Sequence, residues 1–531
     1  MSAIGRAYLD LHLAFRPVDG SFMGRTDCDA RLPRADRGAA AEERAAIAAL
    51  RREAAAAPET TPGERLDKRI ASAELAVAAA CPRSRYANPA WYSGEAVFAI
   101  LGLLLPQAEP LDTDALRARL VALPDFLADG RARLKEAGAA PRGWVARAQR
   151  EAQVLAEFLR GDFASFTPGT VGESGTPAAA AALEDYAADV GALPDRNPAV
   201  GTEFLDLIVR EQHGLGETST LLAAATAAFE RLGAELTEDA ARLTPGLTWQ
   251  EAIAALAADT PSPGEVLAAY RHWHARAAEV ADAASLVTPD RAYGLEYRLL
   301  DAPFRRIAPE TYFLFYRSPP ALRPGVGSVY WVSAPGEDVG AYLRAQNIAV
   351  LKTTHTVHHG SIGHHTQNAR ARGAPGVLAP IAGTDCASGI ALLSAGTMVE
   401  GWACYAEDLL REAGGFFAGA ELLLLKQNER RNAASVLVDI KLHRGEWTLA
   451  EAERFYRDEA GFPPARIAAE VNRNSMFPGS RLMYWAGVEA IKKLRRASPL
   501  PARRFHDGLL GCGHVAIAVA AAELARAAPG P

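Results

Sequence analysis

The sequence predicts a mostly α-helical protein, and three observations carry that prediction. Segments rich in Ala, Leu, Glu and Arg recur along most of the chain, and these residues lose least on entering a helix. Within them apolar positions return at helical spacing, with Pro or Gly at the joins. Strand-like texture, aromatic and β-branched, is confined to residues 306–335.

The first clear helix covers residues 39–57, bracketed by Gly38 and Pro58. Further amphipathic stretches cover 116–137, 144–160, 177–191, 201–213, 217–238, 248–258 and 262–284, and they read as scaffold. His213, His272 and His274 lie inside them and read as surface or core histidines. Residues 166–177, F-T-P-G-T-V-G-E-S-G-T-P, read as a loop or boundary because Gly, Pro, Ser and Thr dominate them. Residues 311–316 (T-Y-F-L-F-Y) and 328–333 (S-V-Y-W-V-S) read as a strand pair. An exposed edge there would suit an extended substrate. The expected organisation is an N-terminal helical lobe at 1–165, a second helical lobe at 178–300 and a lobe carrying the chemistry at 301–531, packed as one compact unit.

With 531 residues, 49% of them apolar, the chain can bury a sizeable core. A net charge of −6 and a pI near 6.1 give no general attraction to nucleic acid or to anionic membranes. The five cysteines (Cys28, Cys81, Cys386, Cys404, Cys512) are odd in number and widely spaced, with no C-x-x-C pair. That spacing argues against a disulfide framework and against a zinc ribbon. The opening M-S-A-I-G-R-A-Y-L-D-L-H-L lacks a basic region, an apolar run and a cleavage site. The longest apolar stretch, 96–105, is about half of what spans a bilayer. A cytoplasmic setting is expected, with a small molecule or short peptide as substrate and neither nucleic acid nor membrane as partner.

Residues 353–365 read T-T-H-T-V-H-H-G-S-I-G-H-H, and they hold five of the twelve histidines: His355, His358, His359, His364 and His365. Imidazole is the commonest ligand for zinc and similar metals, so this stretch reads as a metal site. No breaker interrupts 352–359, which places His358 on a helix, while Gly360 and Gly363 weaken it. On an ideal helix His358 and His365 would lie about 10 Å apart along the axis, too far to share an ion. A break near Gly363 would bring His364 or His365 back towards His358. His355 and His359, four apart, form a competing pair. Spacing leaves both registers open.

Residues 398–410, M-V-E-G-W-A-C-Y-A-E-D-L-L, again read as helix, with Glu400 and Glu407 seven apart on one face. A carboxylate from a second helix is how many zinc hydrolases complete three protein ligands and keep one position open.

H-H-G-S-I-G-H-H followed some thirty-five residues later by E-G-W-A-C-Y-A-E resembles the bacterial family called domain of unknown function 885, whose hallmark is H-E-x-x-P-G-H-H and then E-G-W-A-x-Y-A-E. The resemblance extends to R-P-V-D-G-S-F-M-G, N-P-A-W-Y, R-L-V-A-L-P-D-F-L, V-L-V-D-I-K-L-H, F-P-G-S-R-L-M-Y-W-A-G and F-H-D-G-L-L. It implies a mostly α, multi-helical metallopeptidase-like fold, related to the gluzincins, with a small β ribbon beside a deep metal cleft. It also implies His358, His364 and Glu400 as metal ligands, with His365 as alternate and His355 as the other candidate from spacing. Tyr484 becomes a group that could stabilise an oxyanion. His443, Arg473 and Arg481 become cleft residues that could bind a substrate carboxylate.

One departure matters more than the match. The family's glutamate after the first histidine is His359 here, and its proline is Ile362. In a zinc peptidase that glutamate moves the proton of the attacking water, so His359 is the expected replacement base. The donor set is rich in nitrogen and suits iron, manganese, copper or nickel as well as zinc. Three expectations follow. The first is hydrolysis of a peptide, amide or ester bond. The second is non-hydrolytic chemistry (an oxygenase, lyase or decarboxylase) in specialised metabolism. The third is an inactive relative that binds a ligand.

Overall fold

The computed structural model describes residues 2–105, 111–166, 175–289, 293–310, 316–323, 325–387 and 389–527. Among these residues the chain is mostly helical, with three short strands, Leu295–Leu299, Tyr316–Arg317 and Ser328–Val332. The sequence suggested three consecutive lobes, whereas the chain divides into two compact units built from interleaved stretches. One comprises Met1–Pro198, Leu300–Ala334 and Gly376–Ala391; the other comprises Ala199–Leu299, Pro335–Pro375 and Leu392–Pro531.

The first unit is built from helices that include Ala39–Ala56, Pro62–Ala80, Pro89–Leu104, Thr113–Ala137, Arg142–Arg160 and Thr176–Gly191. Thr61 opens the second of these with a reciprocal cap. Its hydroxyl accepts from Glu64 N, and the Glu64 carboxylate accepts from Thr61 N at 3.0 Å. Helix Pro89–Leu104 is buried around almost its whole circumference, which explains the unbroken apolar run in its sequence. Among the described residues no helix is long and apolar enough to cross a membrane.

The expected strand pair is present but short. Tyr316 pairs with Tyr330 and Arg317 with Val329, antiparallel; residues 311–315 of the expected strand lie outside the described residues, as do 167–174 of the expected loop. Ser328–Val332 is buried at every position, which corrects the expectation of an exposed docking edge.

In the second unit the core gathers around helix Ala420–Arg444. Its Ala433, Val436, Leu437 and Ile440 pack among Phe229, Phe455, Tyr456, Leu482 and Trp485. Two glycines set the crossing of helix Gly396–Ala413 with helix Leu482–Ala497. A Cβ on Gly401 would stand 2.6 Å from Gly487 Cα, so only glycine allows the backbones to approach this closely. That crossing brings Glu400, on the first helix, to Tyr484 on the other. Asp439 fixes the start of the second helix by accepting from Gly479 N, Arg481 N and Leu482 N at 2.9–3.0 Å. His213 is fully buried and His272 exposed, while His274 accepts or donates at Nδ1 to the Tyr297 hydroxyl, 3.1 Å away.

Candidate metal centre

The histidine segment is helical, but wider than the α-helix expected. Leu351–His358 forms a π-helix; His359 N donates to Thr354 O (3.1 Å) and Ser361 N to Thr356 O (2.8 Å), each five residues back. Such segments are rare and cluster at functional sites. The chain then folds back at Gly363, where a Cβ would fall 1.9 Å from the His358 carbonyl oxygen. Glycine is obligatory there, and the next helix starts immediately, His364–Ala371. Trp402, two residues beyond Glu400 on helix Gly396–Ala413, anchors the fold-back by donating from Nε1 to Ile362 O at 2.8 Å.

This route brings His358 and His364 together, with ring centroids 4.9 Å apart and planes at 90°. Nε2 of His358 and Nε2 of His364 stand 3.6 and 3.7 Å from the same atom, Glu400 Oε2. Two ligands about 2.1 Å from one ion at a tetrahedral angle stand about 3.4 Å apart, so each of these two nitrogen–oxygen separations suits a pair of ligands on one ion. The side chains of His358, His364 and Glu400 remain 10–13% exposed. The far nitrogens are held as well. His358 Nδ1 lies 3.0 Å from Glu407 Oε1, and His364 Nδ1 lies 3.3 Å from Gln367 Oε1, whose amide nitrogen donates to Met398 O. Held this way, each ring presents Nε2 inward.

The other histidines separate clearly. His359 stays with the cluster, and its ligand atoms fall within 4.8 Å of those of His358 and His364. His365 turns away, because its Nε2 donates to Tyr293 O at 2.9 Å and its ring stacks on Tyr293. His355 stacks on Tyr270 instead of pairing with His359. Both alternates are thereby corrected by their aromatic packing.

Burial and the charge of the Glu400 carboxylate push the Tyr484 hydroxyl up to about 12. The Arg481 guanidinium lies 4.7 Å from the Tyr484 ring centroid and is ion-paired with Glu470. Arg473, on helix Pro464–Met476, is half-buried, and its charge acts on both Glu470 and Tyr484. Its guanidinium has no hydrogen-bond or ion-pair partner among the described residues. His443 is the third correction. It is fully buried, and its Nε2 donates to Asn474 O at 2.7 Å, which makes it a core residue.

The electrostatics follow from burial and from these neighbours. Burial alone would depress the His358 ring, but Cys404, Glu400 and Glu407 outweigh it and hold the ring well above the ordinary histidine value. Burial would raise Glu400, yet His358 and His364 hold it well below the usual carboxylate range. His359 is pushed well below its ordinary value by burial and by His358, His364 and His355. It therefore stays neutral.

Sequence reasoning missed three neighbours of the cluster. Glu407 shares a face with Glu400 in the sequence, but nothing there ties it to His358. Cys404 lies four residues beyond Glu400 on that same face, which is the signal that could have found it. His514, buried beside His364, had no signal at all.

Three comparisons bear on this site. The family described as "Bacterial protein of unknown function (DUF885)" matches residues 17–524. No curated protein matches the chain. Two solved structures share the fold. One is a protein of unknown function from Shewanella oneidensis, provisionally described as a lipoprotein; it is 17% identical, with a TM-score of 0.76 over 98% of this chain and 99% of that one. The other, from Colwellia psychrerythraea, is provisionally described as a lipoprotein too; it is 16% identical, with a TM-score of 0.78 over 98% of each chain.

Proposed function

Because the chain belongs to the bacterial DUF885 family, we propose that it is a metal-dependent enzyme of the metallopeptidase-like type, hydrolysing a peptide, amide or ester bond. The observation that carries this reading is the convergence of two imidazole Nε2 atoms on one carboxylate oxygen, at 3.6 and 3.7 Å. His358, His364 and Glu400 would hold the ion, with zinc favoured and iron, manganese or copper as alternatives. When bound, the metal would act as a Lewis acid on the scissile carbonyl and on the attacking water.

The chain's own residues supply the rest. Glu407 and Gln367 orient the two ligand rings. His359, neutral and beside the cluster, takes the proton of the attacking water at a ring nitrogen and returns it to the leaving group. The Tyr484 hydroxyl donates to the developing oxyanion. Arg473, whose guanidinium has no partner among the described residues, binds a carboxylate at the end of the substrate, while Arg481, paired with Glu470, keeps Tyr484 in place. The substrate is a small molecule or a short peptide.

A second reading has a specific observation behind it. His359 lies within ligand distance of His358 and His364; as a third nitrogen ligand it would leave no base and suit iron or copper redox or lyase chemistry. Oxygen uptake dependent on added Fe(II) would favour that reading. The cellular setting is also open to test. The opening stretch and the short apolar runs of the sequence predict a cytoplasmic protein, whereas both structural relatives are described as lipoproteins, which suggests the cell envelope; fractionation of the native host separates these.

The reaction is tested by offering metal-loaded protein a panel of dipeptides, amides and esters. Turnover is expected from the native chain and not from His358→Ala. Full turnover in a folded His358→Ala protein would overturn the proposal.

A further inference from the structure

The geometry points to a second metal site on the other side of His358, formed by His358 Nδ1, Cys404 Sγ and a Glu407 carboxylate oxygen and taking a thiophilic divalent ion such as zinc or cobalt. Helix Gly396–Ala413 builds it by periodicity. Glu400, Cys404 and Glu407 fall at positions i, i+4 and i+7, so all three face the same ring. Glu400 addresses one edge of that ring, at Nε2, and Glu407 the other, at Nδ1. Cys404 lies between them on the helix, its Sγ within 4.8 Å of a ligand atom of His358 and of Glu407.

The ligand atoms of His358, Cys404 and Glu407 all lie within 4.8 Å of one another. Imidazole, thiolate and carboxylate together form a recurrent zinc donor set, and three protein ligands leave a fourth position open.

An independent feature provides room for that position. A cavity of about 20 Å³ adjoins Cys404 and Glu407 and is lined in addition by Asp408, Asn428, Glu429 and Asn432. That is space for one water, with polar groups on one part of the wall and Leu425, Trp485 and Val488 on the rest. The surrounding charges are already matched. Asp408 pairs with Lys492 (2.7 Å) and Arg411 (2.8 Å), and Glu429 lies 3.4 Å from Lys492. Glu407 bonds only to His358, and its second oxygen has no hydrogen-bond partner among the described residues. Among the described residues the thiol receives one hydrogen bond, a long one from Asn432 Nδ2 at 3.5 Å. Binding displaces two protons, one from the thiol and one shared between His358 Nδ1 and Glu407.

The site shares His358 with the proposed catalytic centre but does not need that centre to be filled. Cobalt(II) titration of the full-length, reduced protein tests it, because a thiolate on cobalt gives a near-ultraviolet charge-transfer band that nitrogen and oxygen ligands do not. The expected result is such a band, with two cobalt ions bound per chain. Cys404→Ser should lose the band and one ion, and Glu407→Gln, which keeps the thiol, should weaken the band. His364→Ala should lose one ion and keep the band, so failure of the first site is seen separately in that variant's metal count. No band at saturating cobalt would overturn the proposal, and so would a band that survives Cys404→Ser.

Discussion

Both units bury polar clusters, and they do so in opposite ways. In the first unit Arg119 is fully buried, but its guanidinium donates to Arg31 O, Ala99 O, Cys28 O and Ser21 Oγ at 2.6–3.2 Å. Buried Glu151 accepts from Arg147 Nε at 2.7 Å and from Ser93 Oγ at 2.6 Å. In these two clusters the named donors all reach backbone or side-chain acceptors, which is how a fold keeps polar groups inside. In the second unit two imidazole nitrogens share one carboxylate oxygen, with a third histidine alongside. A folded chain gains little from such convergence unless something sits between the groups. One-to-one pairing marks architecture, and convergence marks a binding site.

The largest expected effect comes from breaking a pair in the first unit. Glu151→Ala removes the buried carboxylate to which Arg147 Nε and Ser93 Oγ donate, and loss of one partner from a buried pair costs about 3–5 kcal/mol. Urea denaturation should show that loss, with metal content per folded chain unchanged. A cost below the level of a surface substitution would mean that Glu151 is not the partner it looks to be.

A smaller effect separates the neutral histidines of the second unit from its cluster. Burial pushes His213 down to about 4, and His506 likewise, despite the Leu286 carbonyl that supports its protonation. Their folded values lie below the unfolded value near 6.5, so the unfolded chain binds more protons between the two. Stability is complete above about pH 6.5 and falls as the pH drops towards 4. From pH 7 to pH 5 the loss is about 2 kcal/mol for each histidine. Urea midpoints at the two pH values measure it. His506→Asn should show a shallower fall, and an unchanged slope would contradict the assignment.

Much of this was legible in the sequence. The helix expected at residues 39–57 is Ala39–Ala56, and the one expected at 144–160 lies within Arg142–Arg160, because propensity and periodicity are local properties. The density of imidazole and the return of the chain at Gly363 were legible for the same reason. The choice of His364 over His365 was not. It depends on a π-helical register and on Trp402 holding the Ile362 carbonyl, and both are set by tertiary contact. His443 read as a cleft residue because its motif sits among site motifs, yet those motifs also contain scaffold. Asp439 and Gly401, from two of them, shape the helices that present Tyr484 and Glu400. The interleaving of the two units left no local signal.

The central claim is that His358, His364 and Glu400 hold a metal ion. Elemental analysis tests it most directly, on protein purified without chelators or a nickel column, comparing the native chain with Glu400→Ala and with Arg473→Ala as control. The account predicts that the native chain and Arg473→Ala carry the same metal, and that Glu400→Ala carries about one ion fewer per chain while remaining folded. Equal metal in a folded Glu400→Ala protein, or none in the native chain even after reconstitution, would contradict it.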